Sequence, residues 1–158
     1  MAILQTQPRG VPTQRDLRTE VQDFLTTFAK ALAASDGEAI AALFEIPALV
    51  IAEDGVIALT ATEQAAEFFI AAARQNQARG VVSTRADVID LEKIGDKIMV
   101  ATVRWPHLNA DLHETAAEES DYTLRRDHTG ALKIRSVLVR GIETPLPATP
   151  PRTKRPTH

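Results

Sequence analysis

The clearest pattern in the chain is a stripe of large apolar residues at spacings of three and four: Leu17, Val21, Phe24, Leu25, Phe28 and Leu32. On a 3.6-residue period these positions share one face, so a long amphipathic helix is predicted, opening at Pro12 and Thr13. Ser35, with Glu38 three residues on, has the spacing of a capping box. It predicts a second, shorter helix with Ile40, Leu43 and Phe44 facing inward, ended by Pro47, which cannot continue a helical hydrogen-bond ladder. The period then falls to two. Short β-branched runs at 48–52 and 56–59 flank Asp54-Gly55, a favoured pair for a tight hairpin. Thr60 and Glu63 repeat the capping-box spacing and predict a third helix through Phe68, Phe69 and Ala72, stopped at Gly80. Four further segments, 81–91, 97–105, 115–126 and 131–140, are parted by turn-forming residues such as Gly95-Asp96 and 127–130. They predict a four-stranded antiparallel meander. Helices followed by a block of strands define an α+β domain, with three N-terminal helices packed on one face of a curved, mainly antiparallel sheet.

Composition narrows the picture. The chain has 158 residues, 44% of them apolar and 25% charged, which fits a single globular domain with its own core. Cysteine is absent, so disulfides, thiolate metal sites and a cysteine nucleophile are excluded. The formal charge of −3 argues against a broad nucleic-acid surface. No apolar run approaches the roughly 20 residues needed to span a bilayer, and the first residues lack the pattern of a signal peptide. A cytoplasmic location without membrane association is the resulting expectation. Five of the nine prolines fall after position 144, together with Arg152, Lys154 and Arg155. Proline fixes φ and removes backbone donors, so 143–158 is expected to be a flexible basic tail, 1–12 a flexible N-terminus, and 13–142 the folded domain.

The element order, with the phrases Ala31-Leu32-Ala33-Ala34-Ser35-Asp36, Ile40-Ala41-Ala42-Leu43-Phe44 and Leu132-Lys133-Ile134-Arg135-Ser136-Val137, resembles the nuclear-transport-factor-2-like superfamily. That group includes the SnoaL-like polyketide cyclases and the ketosteroid isomerases. The resemblance covers about 13–142 and implies a cone of helices and sheet whose open end is an apolar pocket. It also implies a homodimer through the outer face of the sheet. In the ketosteroid isomerases a tyrosine on the first helix and a protonated aspartate on a late strand hold the developing oxyanion, and a further aspartate moves the proton. Phe28 stands where that tyrosine would be, and no clear base lies at Ala52, although Asp121 falls close to the late-strand aspartate. With one position of three matched, ketosteroid chemistry is disfavoured.

Asp121 is the residue through which acid–base chemistry is most easily imagined. On a strand, Asp121 and Thr123 face one side while Tyr122 and Leu124 face the other. Toward the cone, desolvation would raise the Asp121 pKa and make it a usable acid or base. Toward solvent, it would pair with an Arg or Lys of a neighbouring strand. Trp105 and Tyr122 offer flat apolar area with a polar handle, and Arg104 is placed to recognise a carboxylate or to neutralise the acidic run at Glu118, Glu119 and Asp121. Phe24, Phe28, Phe44 and Phe68, with Trp105, Arg104 and Tyr122, are the expected pocket residues, and Asp121 the expected catalytic one. His107, Asn109, Asp111 and His113 stand at spacing two, which on a regular strand would give a metal-binding face. Pro106 and the turn-like Asn109-Ala110-Asp111 argue for a polar hairpin tip instead. No metal and no cofactor are therefore expected, and the phosphate-loop, nucleophile-elbow and zincin motifs have no counterpart. Three functions remain in order of preference: binding of a small apolar or amphipathic molecule; an isomerase, cyclase or dehydratase using Asp121; and a protein-interaction module on the sheet face.

Overall fold

A computed structural model of the chain describes residues 14–143. The apolar stripe forms helix α1 (Gln14–Ala33), whose Leu17, Val21, Leu25 and Phe28 are all buried. The helix closes through Ser35, which takes a left-handed φ of 50° while the Asp36 N–H reaches back to the Ala31 carbonyl at 3.0 Å. Ser35 thus terminates α1 rather than opening the next helix. The cap of α2 (Gly37–Ala41) is Asp36, whose carboxylate accepts from the Ala39 N–H at 3.1 Å.

Helix α2 is shorter than expected, and Phe44 and Pro47 belong to strand β1 (Phe44–Ala52), not to the helix or its stop. The Leu43 carbonyl accepts from the Ile134 N–H at 2.8 Å, and the sheet captures the chain there before a further helical turn can form. A hairpin forms here as predicted, but strand β1 turns into β2 (Gly55–Leu59) at Glu53-Asp54, one residue before the expected Asp54-Gly55 pair, and Gly55 is already paired with Ala52. Helix α3 (Thr62–Ala78) is capped by Gln64 in place of Glu63: its side-chain carbonyl accepts from the backbone N–H groups of Thr60 and Ala61 at 2.7 and 3.2 Å. Gly80 follows its end at a φ of +86°, a conformation open to glycine at little strain.

The remaining strands are β3 (Ser83–Thr84), β4 (Asp87–Lys93), β5 (Ile98–Leu108), β6 (Glu114–Arg126) and β7 (Leu132–Glu143). The first strand of the expected meander is therefore broken in two. The Gln22 side chain of α1 explains the break, since it donates to the Ala86 carbonyl at 2.7 Å and accepts from the Val88 N–H at 3.0 Å, taking backbone groups that a continuous strand would use. The sheet runs β2-β1-β7-β6-β5-β3, with β4 also on β5, and all pairs are antiparallel except β1 with β7. The architecture is α+β, helices lying against a curved, mostly antiparallel seven-stranded sheet. Two bulges curve it: β7 carries an extra residue against β6 at Arg140, beside Gly141, and another at Arg135. Strands β5 and β6 keep strict alternation, turning Met99, Ala101, Val103 and Trp105, and Tyr122 and Leu124, onto the concave side.

The core gathers on that concave side around Phe28, which is wholly buried. Its ring lies edge-on to Phe44, Phe69, Trp105 and Tyr122, with centroids 5.4–6.0 Å away. At the other end of α1, the Arg126 guanidinium forks onto the Glu20 carboxylate at 2.6 and 2.8 Å and holds its pKa below the ordinary carboxylate value. Among the described residues no helix is long and apolar enough to cross a membrane. Truncation at the hub sets the clearest stability prediction. Phe28→Ala removes four ring contacts and leaves a void, so a loss of about 3–5 kcal/mol is expected in urea unfolding. A loss below about 1 kcal/mol would mean that the ring cluster is not what holds α1 to the sheet.

Candidate functional site

The core does not fill the concave side. A cavity of about 590 Å³ lies between α3, the end of α1 and the sheet. Its apolar walls come from Leu32, Phe68, Phe69 and Ala72 on the helices and from Val50, Val137 and Val139 on the central strands. Small alanines along one side of α3 leave the space that larger side chains would have closed. A polar group breaks this lining on one side: Thr84 from β3, Trp105 and His107 from β5, and Glu118, Ser120 and Tyr122 from β6.

Strand alternation builds that polar side. His107 stands two residues beyond Trp105, and Glu118, Ser120 and Tyr122 occupy every second position of β6, so all point to the concave face. His107 Nε2 lies 3.9 Å from Glu118 Oε2. The histidine is only 4% exposed. Burial, with the nearby Arg79 guanidinium, pushes its pKa below the ordinary 6.5. Burial moves the Glu118 pKa the opposite way, upward, against the lowering effect of the Ser120 hydroxyl and of Arg79. The Tyr122 phenol is driven upward by its own burial and by the Glu118 charge, so it stays a neutral donor. The Trp105 ring is tilted against it with centroids 6.3 Å apart. The Thr84 hydroxyl is buried and has no hydrogen-bond partner among the described residues. Such a wall can hold a polar atom of a ligand and exchange protons with it, while Asp54 at the β1–β2 turn and Asn76 and Gln77 near the end of α3 add further polar groups to the lining.

The predicted site residues divide into two groups. Phe68, Trp105 and Tyr122 line the cavity. Phe28 and Phe44 do not line it; they form the packed layer beneath, and Phe24 packs half-buried against the same core. Asp121 and Arg104 face away from it. The Asp121 carboxylate accepts from the Thr102 hydroxyl at 2.8 Å and from Arg140 Nε and Nη2 at 2.9 and 2.7 Å, on the outer face of the sheet. Arg104 forks onto Glu114 at 2.8 Å on the same face. Of the two facings open to Asp121, the structure has the outward one, paired with an arginine of a neighbouring strand, so the catalytic role that required it against the cone walls has no support in its position: its strand parity is opposite to that of Tyr122, and the parity that turns an aromatic inward turns its neighbour out. The histidine series separates too. His107 is buried in β5, while the Asn109 side chain accepts from the backbone N–H groups of Asp111 and His113, making a hairpin tip. Among the described residues no group of three or more His, Asp or Glu side chains converges as a metal site would require.

Glu118 and Ser120 went unnoticed as site residues, although the signal was present. Once Tyr122 is assigned inward, alternation assigns positions 120 and 118 inward as well. Of the segments expected to be flexible, 1–12 and 143–158, all but Glu143 lie outside the described residues, and Glu143 is the last residue of β7.

A curved sheet with three helices on its concave side and an internal cavity between them defines a cone-shaped α+β fold. The chain belongs to the family described as NTF2-like protein (DUF6841), whose profile matches residues 16–141. No curated protein matches the chain. Among solved structures, a cystatin-like protein of unknown function from Nostoc punctiforme is 15% identical, covering 85% of this chain and 96% of its own, with a TM-score of 0.61. A second Nostoc punctiforme domain of unknown function with a cystatin-like fold is 19% identical over 86% of this chain and 81% of its own, with a TM-score of 0.59. A ketosteroid isomerase-like protein from Erwinia carotovora is 13% identical over 82% of this chain and 96% of its own, with a TM-score of 0.57. At these identities the likeness is one of fold.

The environment of His107 gives a pH prediction. Between its lowered folded pKa and 6.5 the unfolded chain binds the proton that the folded chain refuses, so this group makes stability rise with pH across that window. NMR titration of the imidazole resonances is expected to place the His107 midpoint below 6.5. A midpoint at or above that value would mean that the ring is not held in a desolvated wall.

Proposed function

We propose that this domain binds a small, largely apolar molecule carrying a polar group, with the apolar body between α3 and the central strands and the polar group at His107 and Glu118. The observation that carries this reading is the open cavity itself, mostly apolar in its lining and with His107, Glu118, Ser120 and Tyr122 gathered on the sheet side. A closed core of the same residues would gain contact area from every side chain that filled it, so an open volume of this kind is a usual mark of a ligand site. The Asp121-based isomerase, cyclase or dehydratase is not the reading preferred here, since that carboxylate is held outward by Arg140. Acid–base work at the cavity would fall to Glu118 and His107.

Trp105 is the only tryptophan of the chain and lines the cavity, which makes its fluorescence a reporter of occupancy. Titration with the dye 1-anilinonaphthalene-8-sulfonate is expected to quench Trp105 saturably. Ala72→Phe places a ring in the cavity from α3 and is expected to weaken that binding about tenfold or more, with circular dichroism unchanged. Undiminished binding in a folded Ala72→Phe variant would remove the cavity as the site.

A homodimer through the outer sheet face is part of the same reading. It is supported by Leu49 and Leu138, each 41% exposed on the face of β1 and β7 turned away from the helices. Sedimentation is expected to give twice the 17.2 kDa chain mass, and Leu138→Lys to return it to the monomer value. A native chain sedimenting as a monomer at micromolar concentration would discard the dimer and leave the cavity reading untouched.

A further inference from the structure

His107 and Glu118 face each other across the polar wall without bonding. Their nearest nitrogen and oxygen are 3.9 Å apart, beyond hydrogen-bond reach. That spacing suits a third atom. An oxygen placed about 2.8 Å from each would sit about 2 Å off the line joining them, on the side where both groups line the cavity. We infer that this pair is a hydroxyl-recognition site, and that the ligands of the cavity are apolar alcohols or phenols whose single hydroxyl bridges His107 Nε2 and Glu118 Oε2. The inference rests on the ligand-binding reading above and supplies its chemical class.

Three features fit a hydroxyl better than a carboxylate, an amine or a plain hydrocarbon. A bridging hydroxyl both donates and accepts, so it serves the Glu118 carboxylate and the His107 N–H at once. A ligand carboxylate would repel an ionised Glu118 and could be met only by its protonated form, whereas a hydroxyl suits both, and Arg79, the cation facing both groups, lies at the exposed end of α3 and not in the wall. An ammonium would lose its hydration to a wall whose other members, Thr84, Ser120 and Tyr122, are uncharged. A hydrocarbon would offer nothing to His107 and Glu118 and would leave the buried Thr84 hydroxyl, which lacks a partner among the described residues, unsatisfied. Thr84 is directly opposite His107 in the register of β3 and β5, so the orphaned hydroxyl and the open pair belong to one patch of wall. The Ser120 hydroxyl bonds Glu118 and orients its carboxylate.

The arrangement also works in either protonation sense. With Glu118 ionised, the ligand donates to Oε2 and accepts from Nε2–H. With Glu118 protonated, the directions reverse and neutral His107 accepts. Hydroxyl recognition therefore persists through the titration of Glu118, and its preference over an ether is lost only when His107 takes up a second proton alongside a protonated Glu118, leaving the ligand O–H with no acceptor in the pair.

The test compares two ligands with the same apolar body, 4-propylphenol and 4-propylanisole, by calorimetric titration of the full chain. The phenol is expected to bind about tenfold more tightly than the anisole, which accepts but cannot donate. Glu118→Leu is expected to reduce that preference to about twofold or less while leaving anisole binding at least as strong. His107→Phe should do the same, and Glu118→Gln, which keeps an acceptor, should retain part of the preference. A simple structural role for either residue would instead weaken both ligands together. Equal affinity of the native chain for phenol and anisole would overturn the hydroxyl site and leave the cavity reading standing. Failure of both compounds to bind would overturn the cavity reading itself, and the hydroxyl site with it.

Discussion

The structure depends on one packing arrangement, the insertion of Phe28 from α1 into the concave side of the sheet. Four aromatic rings from four other elements meet its edge or face: Phe44 of β1, Phe69 of α3, Trp105 of β5 and Tyr122 of β6. An edge-to-face contact constrains distance and angle together, so this cluster fixes where α1 and α3 lie over the sheet. It also sets the depth of the cavity. The faces of Trp105 and Tyr122 turned away from Phe28 become the wall that a ligand would touch. Packing and site share side chains, and the floor of the cavity is as rigid as the core.

The two faces of the sheet use charge differently. On the outer face Asp121 is joined to Arg140 and Thr102, Arg104 to Glu114, and Glu45 to Arg125 and Arg135. Each carboxylate there meets a cation in a setting where water screens what remains, so these pairs add little stability each but leave no unpaired charge on a broad face. On the inner face Glu118 has only uncharged hydroxyls and an imidazole close by, with Arg79 acting from a distance, and its pKa moves up rather than down. Two carboxylates three positions apart on one strand thus meet different partners: Asp121 is held by Arg140 and Thr102 on the outer face, and Glu118 faces the cavity beside His107. Strand parity, not composition, separates the two roles.

Much of the fold could be read along the chain. The α1 stripe, the hairpin near Asp54 and the Gly80 stop give strong local signals because each depends on nearest neighbours or on one helical period. The failures are also local in form but tertiary in cause. Pro47 has the look of a helix stop, yet the sheet takes the chain at Leu43 through the Ile134 N–H, and the proline stands inside β1. The strand expected across 81–91 is divided by a glutamine on a helix more than sixty residues away. Neither event leaves a mark in the local sequence.

The site follows the same division. By itself the sequence determined the inventory: no thiol, few aromatics, one buried-looking tryptophan, and alternating strands on which Tyr122 and Asp121 must part company. It determined parity within each strand, because side chains on an extended backbone alternate whatever surrounds them. Which parity faces the helices was decided only by tertiary structure, through the bulges in β7 and the docking of α1. Small residues on α3 then left a cavity open above the ring cluster. A cavity is a property of volumes from distant segments that fail to meet, and no single segment records that failure. For that reason Asp121 stood out in the sequence, while His107 and Glu118 became a pair only when β5 and β6 were laid side by side.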